Sequence, residues 1–130
     1  MLVGSRMARN FREMVVWQLA VELRDKVLAM LEAGPVTRDF KFRDQLADPV
    51  RSPARNIAEG YGRFRPKEIA QFIDYARASL DETETHLRDG VTSRYFPAEQ
   101  VGPLIVLIVR CRKGLNSWQR YLRGSDGPLS

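Results

Sequence analysis

The sequence predicts an all-α fold, an antiparallel up-down-up-down four-helix bundle with its second helix kinked at prolines, and three observations lead to it. Apolar residues recur at spacings of three and four along four separate stretches. Glycine and proline punctuate the joins at Gly34-Pro35, at Gly60 to Gly62 and after Gly90. The joins are short, and short joins leave consecutive helices antiparallel. At 130 residues the chain fits one domain, able to bury about two thirds of the surface its unfolded form exposes.

Helix 1 is predicted to open at Asn10, because Glu13 stands three residues on and completes a capping box. Val16, Ala20, Leu23 and Val27, with Met30 or Leu31, form one apolar face. Met14, Trp17, Val21 and Leu28 form a second one beside it. A helix apolar on two sides is too sticky for a single core contact, so these four residues are predicted to meet another subunit. Gly34-Pro35 ends the helix with a glycine followed by a proline that cannot continue it.

Helix 2 takes Thr37 or Asp39 as its cap and carries Phe42, Leu46, Val50, Ala54, Ile57 and Ala58 on its apolar face. Pro49 and Pro53 each remove a backbone donor and cost about 3 kcal/mol in a regular helix interior. Asp48-Pro49 and Ser52-Pro53 both resemble a cap followed by a first helical residue, which predicts a kink or restart between 48 and 53. The corner that follows, Asn56 to Arg63, is predicted to stop the helix at Gly60 with a glycine cap. Glu59 then lies in the last turn, where the helix dipole disfavours a carboxylate by roughly 0.3–1 kcal/mol. Arg55, Arg63 and Arg65 are the candidate compensators, and Asn56, Glu59 and Gly60 are assigned as the structural corner.

Helix 3 opens at Pro66 and carries Ile69, Phe72, Ile73, Ala76, Leu80, Thr83 and Leu87 to a predicted glycine cap at Gly90. Helix 4 carries Val101, Leu104, Ile105, Ile108, Cys111, Leu115, Trp118 and Leu122, and its regular part is predicted to begin after Gly102-Pro103. Residues 1–9 and 124–130 lack apolar periodicity and are expected to be flexible, leaving 10–123 as the bundle.

Charge is partitioned along the chain. Residues 38–67 hold eight Lys or Arg against four acids, 68–89 hold two against six, and 109–124 hold five basic residues and no acid. A net charge of +5 permits a polyanionic partner. Arg51, Arg55, Arg63, Arg65 and Lys67 cluster at the corner with Tyr61 and Phe64, aromatic rings able to stack on unpaired bases, and Arg112 and Lys113 add basic charge on helix 4. These residues, Phe64 apart, make up the predicted nucleic-acid-binding set, for RNA or DNA. The alternative is an oligomeric structural or adaptor protein for a protein partner, its basic residues consumed by pairs to the acidic helix 3.

Catalysis has little to work with. Glu82 and the single histidine, His86, share a helix face, but a di-iron bundle site needs Glu-x-x-His on two helices. Cys111 as a nucleophile would need a histidine base in reach, and its place on the apolar stripe reads as a small buried hydrophobe. No catalytic residue, metal or cofactor is assigned, and the chain reads as a non-enzyme. The longest apolar run, Leu104 to Val109, is far below the roughly 18 residues of a spanning helix, and a lone cysteine fits a cytoplasmic protein.

Phe11 to Trp17-Gln18, Asp44-Gln45-Leu46, Arg51-Ser52, Asn56 to Arg63, Pro66-x-Glu68, and Ala76 to Leu80 with Glu82 resemble the four-helix-bundle family encoded by intervening sequences in bacterial large-subunit ribosomal RNA. The most specific element is Asn56-Ile57-Ala58-Glu59-Gly60 followed by Tyr61-x-Arg63. The resemblance implies a bundle that assembles as a ring-shaped homopentamer. It also implies kinship with the basic accessory protein of diversity-generating retroelements, which binds reverse transcriptase and nucleic acid. Ala47-Asp48 departs from the basic residues usual in that family after the helix 2 glutamine, and Pro49 is unexpected there.

Overall fold

The computed structural model describes residues 2–3, 6–7 and 10–126. Four helices make up most of it: α1 (Val15–Met30), α2 (Phe40–Tyr61), α3 (Pro66–Thr92) and α4 (Ala98–Asp126). Ahead of them β1 (Leu2–Val3) pairs antiparallel with β2 (Arg6–Met7). The remaining residues of the two ends expected to be flexible, 1, 4–5, 8–9 and 127–130, lie outside the described residues.

Asn10 caps a single 3₁₀ turn, Phe11–Glu13, and not α1 itself: its Oδ1 accepts from the Arg12 N–H at 2.9 Å. Met14 then takes an extended conformation, φ −72° and ψ 125°, and α1 starts one residue later. That break drops the Met14 side chain into the core, where it is 0% exposed. At the far end Gly34 has φ +80°, a conformation that favours glycine, and Pro35 opens a second 3₁₀ turn. Thr37 donates its hydroxyl back to the Gly34 carbonyl, so the cap of α2 falls to Asp39, whose carboxylate accepts from the Phe42 N–H at 3.0 Å. The Tyr95 hydroxyl also donates to Asp39. These hydrogen bonds, Tyr95's first and Phe42's second, hold the Asp39 carboxyl below the ordinary range.

The core is one cluster drawn from all four helices. Leu23 and Val27 of α1, Leu46 and Ile57 of α2, Ile73, Leu80 and Leu87 of α3, and Ile108 and Leu115 of α4 are fully covered. Each such side chain contributes roughly 1.5–3 kcal/mol relative to exposure. Phe42, Ser52 and Gly60 of α2 meet His86, Ser79 and Phe72 of α3, so ascending positions on one helix face descending positions on the other. Likewise Arg77 of α3 meets Asn116 and Gln119, whereas Asp81 and Glu84 meet Arg112.

Several local expectations give way to packing. No restart occurs between 48 and 53: α2 runs as one helix through Pro49 and Pro53. Both prolines are buried on the face that carries Leu46, Val50 and Ile57, and the packing of their rings offsets the lost N–H donors. Gly60 is not the stop. The helix continues to Tyr61, Gly62 caps it at φ −80°, and a Cβ on Gly60 would lie 3.1 Å from the Phe72 Cβ and 3.3 Å from Trp118. Gly60 thus serves close approach of helices, not a positive φ. Gly90 is likewise interior to α3, and the left-handed residue beyond its end is Arg94, at φ 63°. Finally, α4 begins at Ala98, ahead of Pro103. Pro103 removes only the bond to the carbonyl of Glu99 in the first turn, on an exposed side of the helix.

Candidate nucleic-acid interface

Trp17, Arg24 and Leu28 recur at spacings of seven and four, and so present one face of α1. Arg51 and Arg55, and Ala54 and Ala58, are pairs one turn apart on α2. These seven residues line a groove of about 450 Å³ between the two helices, apolar along its floor and carrying three guanidinium groups. Phe11 holds the half-buried Trp17 edge-on, with ring centroids 5.4 Å apart and planes at 71°. The Arg12 guanidinium lies over the Phe11 ring, 4.6 Å from its centroid.

A second groove of about 380 Å³ is lined by Phe11, Ala58, Glu59, Gly62 and Arg63. Ala58 borders both, so the two lie in succession as a track along α2 from Arg51 to the corner, about 17 Å at 1.5 Å per residue. Arg51, Arg55, Arg65 and Lys67 are exposed, and among the described residues none of the four is held in an ion pair. Arg63 is committed in part: its Nη2 lies 3.1 Å from Glu59 Oε2, and its guanidinium stacks 5.0 Å from the Phe72 centroid. Of the three arginines proposed to compensate Glu59, Arg63 is the one that does so. Both groups are solvated, so the pair contributes about 0–1 kcal/mol. Arg24 pairs with its neighbour Asp25 at 2.9 Å.

The three corner residues face three surroundings. Asn56 turns towards α3, donating its amide to the Ser52 carbonyl at 3.0 Å and hydroxyl at 2.7 Å, while Ser79 meets the same hydroxyl at 2.6 Å. Gly60 supplies the close contact with Phe72 and Trp118, and Glu59 stays outside with Arg63. Tyr61 packs half-buried against the core, whereas Phe64 at the tip is 96% exposed between Arg63 and Arg65.

Arg112 is not brought to this surface. Its guanidinium donates to Asp81 Oδ1 at 2.7 Å and to Glu84 Oε1 at 2.6 Å, tying α4 to α3 on the side away from the α1–α2 groove. Glu84 also accepts from Arg88 at 2.9 Å. The Arg112 bond first, and the Arg88 bond second, hold the Glu84 carboxyl below its ordinary range. Burial works against the Arg112 charge, and the Glu84 and Asp81 hydrogen bonds outweigh it, raising its pKa. Lys113 is exposed beside it. Much of the acidity of α3 is therefore answered within the chain by Arg77, Arg88 and Arg112.

The predicted intersubunit face is altered as well. Met14 is covered by its own chain and has no surface to offer a partner. Trp17, Val21 and Leu28 are half-buried and pack against the core, with Trp17 and Leu28 turned to the α2 groove. The exposed large apolar side chains of α1 and α4, among the described residues, are Val15, Val106, Val109 and Tyr121. Sequence reasoning missed Arg24 and Phe11 as members of the track. The seven-residue spacing from Trp17 to Arg24 carries the first, while Phe11 depends on the fold of the turn before α1.

His86 sets its ring edge-on to Phe42, with centroids 6.4 Å apart, and no group of three metal-ligating side chains exists among the described residues. Cys111 is buried, its thiol 3.6 Å from the Val16 carbonyl, and burial pushes its pKa up to about 12. No described helix is long and apolar enough to cross a membrane.

No curated protein matches the chain. Residues 12–117 match the family described as 23S rRNA-intervening sequence protein, a span that takes in α1, α2, α3 and most of α4. Trp17, Arg24, Arg51, Arg55 and Arg63 all fall inside it. With four packed helices, the Asn56 to Arg63 corner and a match over most of its length, the chain belongs to the 23S rRNA-intervening sequence protein family.

Proposed function

We propose that the protein is a non-enzymatic, self-assembling helical bundle that binds RNA or another polyanionic nucleic acid along the track between α1 and α2. The observation that carries this reading is the state of two arginines. Arg51 and Arg55 stand exposed beside Trp17, with no ion pair among the described residues, while Arg112, which faces α3 from α4, is held by the α3 carboxylates of Asp81 and Glu84. A net charge of +5 supports attraction to a polyanion. No cofactor is called upon, and the setting proposed is the cytoplasm.

Assembly with further copies, in a ring and most simply as a pentamer, is part of the proposal and comes from the family resemblance. Exposed Val15, Val106 and Val109 support it as surface that a neighbouring copy would cover. A second reading, an adaptor for a protein partner without nucleic-acid binding, draws support from Arg63 and Arg112, whose charge is used inside the chain.

Anisotropy titration of a fluorescein-labelled single-stranded RNA at several salt concentrations tests the reading. The expected result is a steep negative slope of log K against log salt, about 0.7 for each phosphate contacted on a single strand. Arg51→Ala with Arg55→Ala should weaken binding and flatten that slope. Absence of binding by folded protein at low salt removes the nucleic-acid reading and leaves the adaptor.

A further inference from the structure

We infer that the α1–α2 track and the Phe64 tip take an unpaired nucleic-acid strand in preference to a duplex, with Trp17 and Phe64 stacking on bases and Arg51 and Arg55 on phosphates. The inference deepens the proposed function and rests on it.

A duplex keeps its base faces inside and offers phosphate ridges and groove edges, which are read by an inserted helix or by a broad basic surface. The track here is concave. Its floor is an indole, a leucine and the two alanines Ala54 and Ala58, and its rim is Arg24, Arg51 and Arg55. That combination of an aromatic residue with guanidinium groups beside it matches a splayed base joined to its own phosphate, the arrangement single-strand binders use.

Phe64 points to the same partner. It is 96% exposed and is flanked in the turn by Arg63 and Arg65, with Lys67 just beyond. The adjoining groove is lined by Gly62 and Arg63 of this turn and by Phe11, whose ring meets Trp17. Among the described residues nothing covers the ring, and a base face is the apolar surface that an arginine-flanked phenylalanine can meet while its neighbours hold phosphates.

The track is also bounded. Asp44 and Asp48 continue the exposed stripe of Arg51 and Arg55 towards the start of α2, so two carboxylates interrupt the positive charge there, ahead of Lys41. A long, rigid duplex laid along α2 would run its phosphates over both carboxylates. A flexible strand can leave the track at Arg51.

The test uses the full chain at one low salt concentration with four probes: oligo(U), oligo(dT), a blunt RNA duplex of equal length, and heparin. Single strands should bind at least about tenfold tighter than the duplex. Phe64→Ala should lower single-strand affinity about 5- to 100-fold, the range for losing one stacked base, and leave heparin affinity unchanged. Because Phe64 is fully solvated, this variant does not perturb folding. Trp17 emission should be quenched by oligo(U), and the quenching should disappear in Trp17→Phe. Tight binding of either oligo(U) or oligo(dT) supports the inference, and their ratio reports whether the 2′-hydroxyl is read. Duplex or heparin binding as tight as single-strand binding, or a Phe64→Ala protein that binds oligo(U) like wild type, overturns it while the polyanion reading stands. Failure of all four probes removes both.

Discussion

Gly90 of α3 lies so close to the ring of Phe96 that a Cβ built on it would stand 2.5 Å from two of the ring carbons, with the Phe42 ring 3.2 Å away on another side. The Gly90 carbonyl accepts from the N–H groups of Tyr95 and Phe96 at 2.8 and 3.3 Å, so the chain folds back over the glycine and seats the aromatic ring on it. Phe96 is itself buried, so a methyl on Gly90 would have to displace its ring from that seat.

Gly90→Ala is accordingly expected to destabilise the bundle by about 1–3 kcal/mol through overpacking, outweighing the gain in helix propensity. Gly62→Ala is expected to act in the opposite direction. Gly62 has φ −80° and would place its Cβ 3.6 Å from the nearest atom, the Glu59 carbonyl, so alanine should stabilise by about 0.4–1 kcal/mol through the unfolded chain. Parallel thermal melts check this pair. Shifts of the same sign would refute the distinction.

Glu84 offers a pH-dependent prediction. Its folded pKa is depressed below the ordinary 4.5, so folding favours the carboxylate, and the stabilisation is present above that value and lost as pH falls through the lower folded value. Glu84→Gln should therefore be less stable than wild type at pH 7 by about 1 kcal/mol, and the difference should vanish in acid. Urea unfolding at pH 7 and at pH 3 measures it. A difference that persists unchanged at pH 3 would exclude the ionised pair with Arg112 as its source.

Cys111 should be inert in the folded protein. Burial raises its thiol to about 12, against about 8.5 for an exposed cysteine, so no thiolate is available near neutral pH. Iodoacetamide at pH 8 is expected to label denatured protein fully and native protein only as fast as it opens. The same shift predicts that stability begins to fall as pH rises past the unfolded thiol value, because only the unfolded state then releases the proton. Rapid native labelling would contradict the buried position beside Val16.

Asp48 bounds the basic track, and its reversal should lengthen it. Asp48 is exposed on α2, one turn before Arg51, and Asp48→Lys suits a helix position by propensity. RNA affinity should rise severalfold, with a salt slope steeper by about 0.7 if one phosphate contact is added. Unchanged affinity and slope would place the bound strand elsewhere.

Assembly can be examined directly. Light scattering at micromolar concentration should give a mass several times the 14.9 kDa of one chain, and Val106→Glu should reduce it. A monomer for the wild-type protein would defeat the ring.

The apolar stripes were legible because each is a property of one helix. Leu46, Val50 and Ile57, or Leu80 and Leu87, repeat at helical spacing and end in the core. Cap chemistry was legible for a similar reason, since Asp39 and Phe42 are neighbours in sequence, as are Gly34 and Pro35. The candidate surface was legible only in part. Arg51 and Arg55 were identifiable as basic residues near a corner, but nothing local announces that they share a groove with Trp17 and Arg24. Arg112, drawn from an equally basic stretch, is spent on Asp81 and Glu84 some thirty positions away.

The sequence by itself determined four helices, the residues on their inner faces, the order of the joins and a surplus of basic charge around α2. Only the tertiary structure decided that α2 passes unbroken through Pro49 and Pro53, that Gly60 and Gly90 serve contact and not turning, that Met14 belongs to the core, and which arginines remain exposed for a ligand. Periodicity and capping depend on residues a turn apart, whereas close approach and ion pairing depend on residues far apart in the chain, and these meet only once the helices have chosen the faces they bury.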